Sequence, residues 1–274
     1  MDKNLNWYSS NRILIKKKIT VDMKLVINPD YASMKEFIGN FPELFAAGEG
    51  ELVDSRRNVI RLFNTQMGDW IAKQYKKPVF IQRFIYSFFR KTKASRAFEY
   101  SIRLRKLGIN CPEPIAYIEE KEFLFTYGYF IYLKCSDPFV YPQLVEKKDY
   151  DRDLASAVAG YLAEIHAKGV IHGDMNLTNI LYRKDADHYD FTVIDVNRCK
   201  FKRELTKADC YKDLRRVAHR RDLYEYIIAK YASLRGWSAG KAVYKALKYL
   251  DKFEAGESVK GAWKNMKKKR QNKD

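Results

Sequence analysis

Cysteine is scarce in this sequence, and the few that occur are not spaced for a metal site or a disulfide framework. No CxxC pair is present, and no histidine lies at ligand spacing from a cysteine. A structural zinc site is therefore not expected, and isolated cysteines are typical of reduced thiols in a cytosolic protein. The cysteines are Cys111, Cys135, Cys199 and Cys210.

Long apolar runs are also missing. No stretch of about 18 apolar residues occurs, so we expect no transmembrane segment. The opening residues Met1-Asp2-Lys3-Asn4 are not followed by an apolar run, so no signal peptide is expected either. No repeat at solenoid spacing is visible. These absences favour a cytoplasmic protein and leave peripheral contact with a membrane open.

Acidic residues are outnumbered by basic ones. The chain has 52 Lys plus Arg against 34 Asp plus Glu, a formal charge of +18. Such an excess favours anionic partners, namely nucleic acid, anionic lipid or phosphorylated sugars, although a merely soluble basic surface is the simpler alternative. With 274 residues, of which 46% are hydrophobic, the chain can form one large domain or two lobes that share a cleft.

The hydrophobic pattern changes along the chain from strand-like to helical. Short β-branched or apolar runs broken by turn signals fill the first half, and helical periodicity dominates after about residue 150. We therefore predict an α+β, bilobal fold. It would comprise a polar N-terminal extension (1–20), a β-rich N-lobe (21–134), a short α-rich C-lobe (135–260) and a basic tail (261–274).

Specific elements follow from the same patterns. Strands are predicted at Met23–Ile27, Glu51–Val53, Asn58–Phe63, Trp70–Tyr75, Ile115–Ile118, Tyr129–Leu133, Ile180–Tyr182 and Phe191–Ile194. Helices are predicted at Tyr31–Phe45 with an interruption near Pro42, at Lys93–Leu107, at Asp151–Lys168, and over 208–234 and 239–252.

The strongest chemical signal is a carboxylate, an amide five residues later, a short hairpin and a second carboxylate at a strand end. These residues are Asp174, Asn179 and Asp195. Phosphoryl transfer needs this set: Asp174 can orient an acceptor hydroxyl and take its proton, while Asn179 and Asp195 can offer oxygen ligands to Mg²⁺. Each residue alone would be interpreted as a turn-former or a strand cap, but their order favours the chemical interpretation.

The segment His172-Gly173-Asp174-Met175-Asn176-Leu177-Thr178-Asn179 resembles the catalytic loop of protein-kinase-like enzymes. That pattern is His-Arg-Asp with Asn five residues after the Asp. Gly173 replaces the Arg, a form similar to small-molecule and atypical kinases. Because that Arg usually pairs with a phosphorylated activation loop, regulation of that kind is not expected. The resemblance implies ATP as the phosphoryl donor and Mg²⁺ as the metal.

The same resemblance extends upstream of the loop. Trp70-Ile71-Ala72-Lys73 resembles the strand whose lysine holds the α- and β-phosphates, and Glu99 on the following helix would be the partner of Lys73. Gly48 and Gly50 are expected to join strands over the nucleotide, although a plain turn is a close alternative because the third glycine of GxGxxG is missing. The hinge would place the backbone of Tyr132, Leu133 and Lys134 against adenine.

The residues from Asp195 onward indicate which family of protein-kinase-like enzymes the sequence resembles. Asp195-Val196-Asn197-Arg198 replaces the usual Asp-Phe-Gly, and we find no Ala-Pro-Glu and too short a remainder for a full peptide-docking lobe. The segment Val193–Phe201 instead resembles the lipopolysaccharide kinase family, which includes Kdo kinases and core heptose kinases. Other segments similar to that family are Phe89–Glu99, Cys111–Glu120 and Tyr211-Lys212-Asp213-Leu214.

Membership of that family would imply a glycolipid acceptor, phosphorylated on a sugar hydroxyl at the cytoplasmic face of the inner membrane. An anionic membrane surface, rather than nucleic acid, would then explain the basic charge. An atypical RIO-like protein kinase is the alternative enzyme, and a nucleotide-binding pseudokinase or RNA-associated scaffold is the alternative from another class. An antibiotic kinase fits less well, because its cationic substrates favour an acidic cleft.

Overall fold

A seven-stranded antiparallel sheet occupies the first half of the chain. The computed structural model describes residues 8–16, 19–186 and 188–271, with side chains described for 21–186 and 188–259. The strand order across the sheet is β1-β2-β6-β7-β5-β4-β3. Its strands are β1 (Tyr8–Lys16), β2 (Ile19–Ile27), β3 (Glu51–Asp54), β4 (Val59–Thr65), β5 (Gly68–Tyr75), β6 (Pro114–Lys121) and β7 (Phe125–Leu133).

Within the described residues, four α-helices accompany this sheet and four more fill the second half. The first four are α1 (Lys35–Gly39), α2 (Phe41–Ala47), α3 (Phe80–Phe88) and α4 (Lys93–Lys106). The others are α5 (Arg152–Ala167), α6 (Lys207–Leu214), α7 (Arg221–Leu234) and α8 (Ala239–Gln271). Two short strand pairs stand apart from the large sheet: β9 (Ile180–Asp185) with β10 (His188–Val193), and β8 (Val170–Ile171) with β11 (Lys200–Phe201).

The chain divides into two compact units. One contains the residues up to Ser136 together with Val193–Arg198, and the other contains Asp137–Thr192 and the residues from Cys199 onward. The predicted α+β class, with a β-rich first region and a helical second region, is confirmed. The division falls two residues after the predicted lobe boundary, and the short segment that contains Asp195 groups with the sheet.

The alternation of side chains along β5 determines which residues reach each face of the sheet. Trp70 and Ala72 are fully buried on the face that carries α1 and α2. Lys73 and Tyr75, one position out of phase, point to the opposite face, where α4 packs through Ala97. Strand register therefore delivers Lys73 to the α4 side of the sheet.

Several elements differ from the sequence predictions. β1 occupies nine of the twenty residues predicted as a polar extension, since Ile13 and Ile15 give it strand propensity and it pairs with β2 throughout. The helix predicted over 208–234 is two helices, α6 and α7. The helix predicted over 239–252 continues to Gln271 as α8, into the predicted tail. α3 is an additional helix, and no helix of the described residues has the length and apolarity to span a bilayer.

Candidate active site

Lys73 and Asp195 form an ion pair within the sheet-containing unit. Lys73 Nζ lies 2.8 Å from Asp195 Oδ1, and the lysine side chain is only 11% exposed. Asn197 Nδ2 donates to the same carboxylate oxygen at 2.8 Å. The backbone of Asp195 has φ of 60°, a left-handed conformation that a residue with a side chain rarely adopts outside functional or tightly constrained positions. Two residues predicted from the sequence are thus brought together.

Glu99 does not have the partner that the sequence analysis assigned to it. Its carboxylate accepts hydrogen bonds from Lys91 Nζ and, at 3.1 Å, from Ser95 Oγ, whereas Lys73 pairs with Asp195. The helical period explains the difference, because the face of α4 that borders Lys73 presents Ala97 and Ser101, and Glu99 lies on the other side of the helix. The predicted Lys73–Glu99 pair is corrected accordingly.

The two predicted glycines lie in the turn between α2 and β3. Gly48 ends α2 with φ of 78°, and Gly50 has φ of 81°. The guanidinium of Arg61 donates to both of their carbonyl oxygens, at 2.6 and 2.8 Å. A Cβ on Gly50 would lie 2.7 Å from the ring of Phe63, so glycine is required there for packing. Their role in covering a nucleotide stays a prediction.

The predicted hinge residues already use part of their backbone in the fold. The N–H of Leu133 donates to the carbonyl of Glu113, and the N–H of Lys134 donates to the carbonyl of Asp69, each at 2.9 Å. The ring of Tyr132 borders the small cavity beside Lys73, and its burial raises the pKa of the phenol. Contacts of these three residues with adenine remain a prediction. The backbone N–H groups of Leu133 and Lys134 are already hydrogen-bonded within the fold.

In the helical unit, the predicted catalytic loop is closed by local hydrogen bonds. Asn179 Nδ2 donates to the carbonyl oxygen of Asp174 at 2.9 Å, which links the two predicted residues across five positions. Arg216, in the segment that follows α6, places its guanidinium 2.6 Å from Asp174 Oδ1. The carboxylate of Asp174 is 17% exposed, so it is held in place and still reached by solvent.

Asp213 on α6 fixes the backbone of this loop. Its buried carboxylate accepts hydrogen bonds from the N–H of His172 at 2.8 Å and the N–H of Gly173 at 2.7 Å. His166 Nε2 lies 3.3 Å from the same carboxylate. Burial acts to raise the pKa of Asp213, but the interactions with His166 and the loop lower it overall. The position of Asp174 therefore depends on an acid that lies about forty residues away in sequence.

His166 completes a buried polar cluster behind the loop. Its Nδ1 lies 2.7 Å from the hydroxyl of Tyr231, and its Nε2 faces Asp213. Burial acts to lower the pKa of His166, but the hydrogen bonds with Asp213 and Cys210 outweigh it and raise the pKa to about 9. The positive imidazolium thereby compensates the buried carboxylate, which would otherwise be costly to bury.

Positive side chains surround Lys93 in the sheet-containing unit. Burial lowers the pKa of Lys93, and the nearby charges of Arg198, Arg57, Arg96 and Lys73 lower it further. Such mutual repulsion is relieved when an anion binds. The surroundings of Lys93 are therefore positively charged.

Two residues act on the loop from α6 and from the segment after it, and neither was predicted from the sequence. Arg216 carries no motif. Asp213 lies in a segment that resembles the lipopolysaccharide kinase family. Its spacing from His172 does not predict a hydrogen bond between them. The one available signal was that Asp213 lies among apolar positions of a predicted helix, a pattern that indicates a buried carboxylate.

The architecture is similar to that of a solved structure of WaaP in complex with acyl carrier protein. The TM-score is 0.56 with 16% sequence identity, over 86% of this chain and 98% of that chain, a likeness that shows the fold alone. The β-rich first region and helical second region thus give the chain a kinase-like fold class.

Within that class the family is also defined. The chain belongs to the lipopolysaccharide kinase (Kdo/WaaP) family, whose model matches residues 46–235. Similar curated proteins are the 3-deoxy-D-manno-octulosonic acid kinases of Vibrio vulnificus strains YJ016 and CMCP6, 29% and 28% identical over 115 residues. Each match covers 41% of this chain and 48% of the relative, so the chain spans about half the length of these relatives.

Proposed function

We propose that this protein transfers the γ-phosphoryl group of ATP, with Mg²⁺, to a sugar hydroxyl of a lipopolysaccharide or lipid A–Kdo type glycolipid. The observation that carries the proposal is the 2.8 Å contact between Lys73 Nζ and Asp195 Oδ1 in a chain of the lipopolysaccharide kinase family. Kinases use such a lysine to hold phosphates and such an aspartate to hold the metal, so their proximity supports a nucleotide site.

The donor atoms of two residues fit the metal that this chemistry requires. Mg²⁺ prefers hard oxygen ligands, which the Asp195 carboxylate and the Asn179 side-chain carbonyl provide. Asn179 uses its nitrogen to donate to the carbonyl of Asp174, which supports a role for its oxygen as a metal ligand. When bound, Mg²⁺ neutralises charge on the β- and γ-phosphates. Lys73 would contact a phosphate from its position beside Asp195.

Asp174 is proposed to orient the acceptor hydroxyl and accept its proton. Three contacts support this role by fixing the loop: Arg216 at the carboxylate, Asn179 at the carbonyl, and Asp213 at the two preceding N–H groups. A carboxylate held in one orientation needs little rearrangement before transfer, which is the main contribution of a protein to phosphoryl transfer.

The acceptor is proposed to be an anionic sugar at a membrane surface. The named relatives act on 3-deoxy-D-manno-octulosonic acid, which carries a carboxylate. The positive side chains around Lys93 would favour such a ligand or its neighbouring phosphates. The protein would then act at the cytoplasmic face of the inner membrane, in peripheral contact with its anionic lipids.

Single-turnover transfer from labelled ATP to a purified Kdo–lipid A acceptor tests this proposal. Asp174→Asn should bind ATP with Mg²⁺ as tightly as the wild type, yet transfer phosphate about 10²–10⁴-fold more slowly, nearer the lower limit because a loose transition state needs little early proton removal. Asp185→Asn, an exposed change on β9, should leave both unchanged.

Three outcomes would contradict the proposal. If ATP binding and transfer collapse together in Asp174→Asn, Asp174 has a structural or metal-binding role. If phosphate is transferred to a protein acceptor and not to the glycolipid, a RIO-like protein kinase is the better assignment. If ATP is not turned over and RNA is bound in a salt-sensitive manner, the protein is a scaffold.

A further inference from the structure

Helix α3 exposes an apolar face to solvent. The α3 face consists of Phe80, Ile81, Phe84, Ile85 and Phe88, which follow the spacing of one side of a helix. Phe80 and Ile81 are 70% and 71% exposed, and Phe88 is 56% exposed. No residue of α3 is buried, so this helix contributes none of its apolar side chains to a described core.

The orientation of α3 is fixed by its polar side rather than by its apolar side. Arg83 Nε donates to the carbonyl of Phe125 at 2.8 Å, and its guanidinium lies 3.7 Å from Glu122. Ser87 Oγ accepts from the N–H of Phe125 at 2.8 Å and donates to the carbonyl of Arg83. Because these hydrogen bonds attach the polar side to β7, the α3 face is held outward.

The exposed apolar residues are concentrated in this region. Among the residues whose burial is described, sixteen large apolar side chains are exposed, and seven of them lie between Val79 and Phe89. Phe123, next to Glu122 in the turn between β6 and β7, is 85% exposed and adds to the same surface. A soluble protein rarely exposes an apolar surface of this kind without a partner.

Cations border the α3 face at both ends. Lys76 and Lys77 precede it and are exposed, and Arg90, Lys91 and Lys93 follow it. The side chain of Lys121 lies over the ring of Phe88, 5.1 Å from its centroid. Carboxylates are present as well: Glu122 pairs with Arg83, Glu99 with Lys91, and Glu119 with Lys24, while Asp22 shares a cavity with Phe88 and Lys121.

We propose that the α3 face docks this protein on an anionic lipid bilayer. Phe80, Ile81 and Phe88 protrude with more than half of their surface exposed, which suits insertion among acyl chains, whereas a partner helix would need an apolar groove. The bordering lysines and arginines match lipid phosphates, each basic residue near an anionic surface contributing about 1 kcal/mol. The inference deepens the proposed membrane contact but uses none of the residues assigned to ATP or to proton transfer.

Flotation of the full chain with lipid vesicles tests the proposal without ATP or acceptor. The wild type should float with phosphatidylglycerol-containing vesicles and far less with phosphatidylcholine vesicles. The double variant Phe80→Ser/Phe84→Ser should bind at least about tenfold more weakly, since two protruding aromatic side chains are removed. Leu234→Ser, which removes an exposed leucine from the helical unit, should bind like the wild type.

A second variant separates the charge contribution from folding effects. Lys76→Gln/Lys77→Gln keeps the apolar residues and should reduce vesicle binding severalfold at low salt, with a smaller effect at high salt. Both double variants should have the wild-type melting temperature, because all four residues are exposed.

Three results would overturn the docking proposal. The first is wild-type failure to bind anionic vesicles. The second is equal binding by Phe80→Ser/Phe84→Ser. The third is a wild-type dimer or an acidic-protein complex that the same variant abolishes, which would assign the α3 face to a protein partner. Vesicle binding by Asp174→Asn should equal that of the wild type, so failure of the docking proposal and failure of the kinase proposal are distinguishable.

Discussion

Replacing Asp213 with asparagine should loosen the catalytic loop while leaving Asp174 chemically intact. The buried carboxylate accepts hydrogen bonds from the N–H groups of His172 and Gly173 and faces the imidazole of His166, and both histidines are buried as well. Asparagine has one acceptor oxygen in place of two. Its amide nitrogen would therefore face either a backbone donor or the imidazolium, and one buried donor would lose its partner.

The expected magnitude follows from these contacts. Removing one member of a buried charge pair typically costs about 3–5 kcal/mol, because the remaining charge stays uncompensated. In a protein of this size 1 kcal/mol corresponds to roughly 2–4 °C, so the melting temperature should fall by on the order of 10 °C. Transfer activity should also fall at temperatures where the variant is folded, because Asp174 would lose its fixed position.

Thermal unfolding by circular dichroism, with transfer assayed at 15 °C, measures both effects. Asp222→Asn is the matched control, since Asp222 is exposed and pairs only with the neighbouring Arg220 among the described contacts. Its melting temperature should stay within about 2 °C of the wild type. Equal shifts in the two variants, or a stable Asp213→Asn with full activity, would refute the role given to Asp213.

Two further predictions concern the nucleotide site and the pH dependence of stability. Lys73→Met should lower the single-turnover rate more than it lowers affinity for ATP. An unchanged rate would mean that Lys73 takes no part in phosphoryl transfer. Hydrogen bonds from Lys202 and Thr206 hold the pKa of Asp209 at about 2. Because this folded-state pKa is below the ordinary 3.8, the stabilisation is complete above pH 4 and is lost as the pH falls through about 2. The difference in urea midpoint between wild type and Asp209→Asn should therefore narrow from pH 6 to pH 3, and a constant difference would contradict this assignment.

The predicted catalytic loop could be recognised in the sequence because its residues lie close together along the chain. Asp174 and Asn179 are five residues apart, and their hydrogen bond closes within one turn of chain. Strand alternation likewise delivered Lys73 to the face where Asp195 lies. The relation between Asp174 and Asn179 can be predicted from spacing and residue type, whereas Lys73 and Asp195 lie 122 residues apart and meet only in the folded chain.

The residues that were assigned wrongly or missed depend on packing between distant segments. Glu99 has the residue type of a lysine partner, but the rotation of α4 turns it toward Lys91, and that rotation is set by which residues the sheet buries. Asp213 reaches the loop across about forty residues, a contact that no local pattern encodes. The outward α3 face could not be predicted, since apolar periodicity usually indicates a helix that faces the core.

We propose that this chain phosphorylates a sugar of a lipopolysaccharide-type glycolipid. Mass spectrometry of lipid A and core from cells that carry the wild-type gene, the Asp195→Ala gene or no gene tests it most directly. We expect one additional phosphate on the glycolipid only with the wild-type gene, with both proteins present in equal amounts. Identical glycolipid masses in all three strains would contradict the claim.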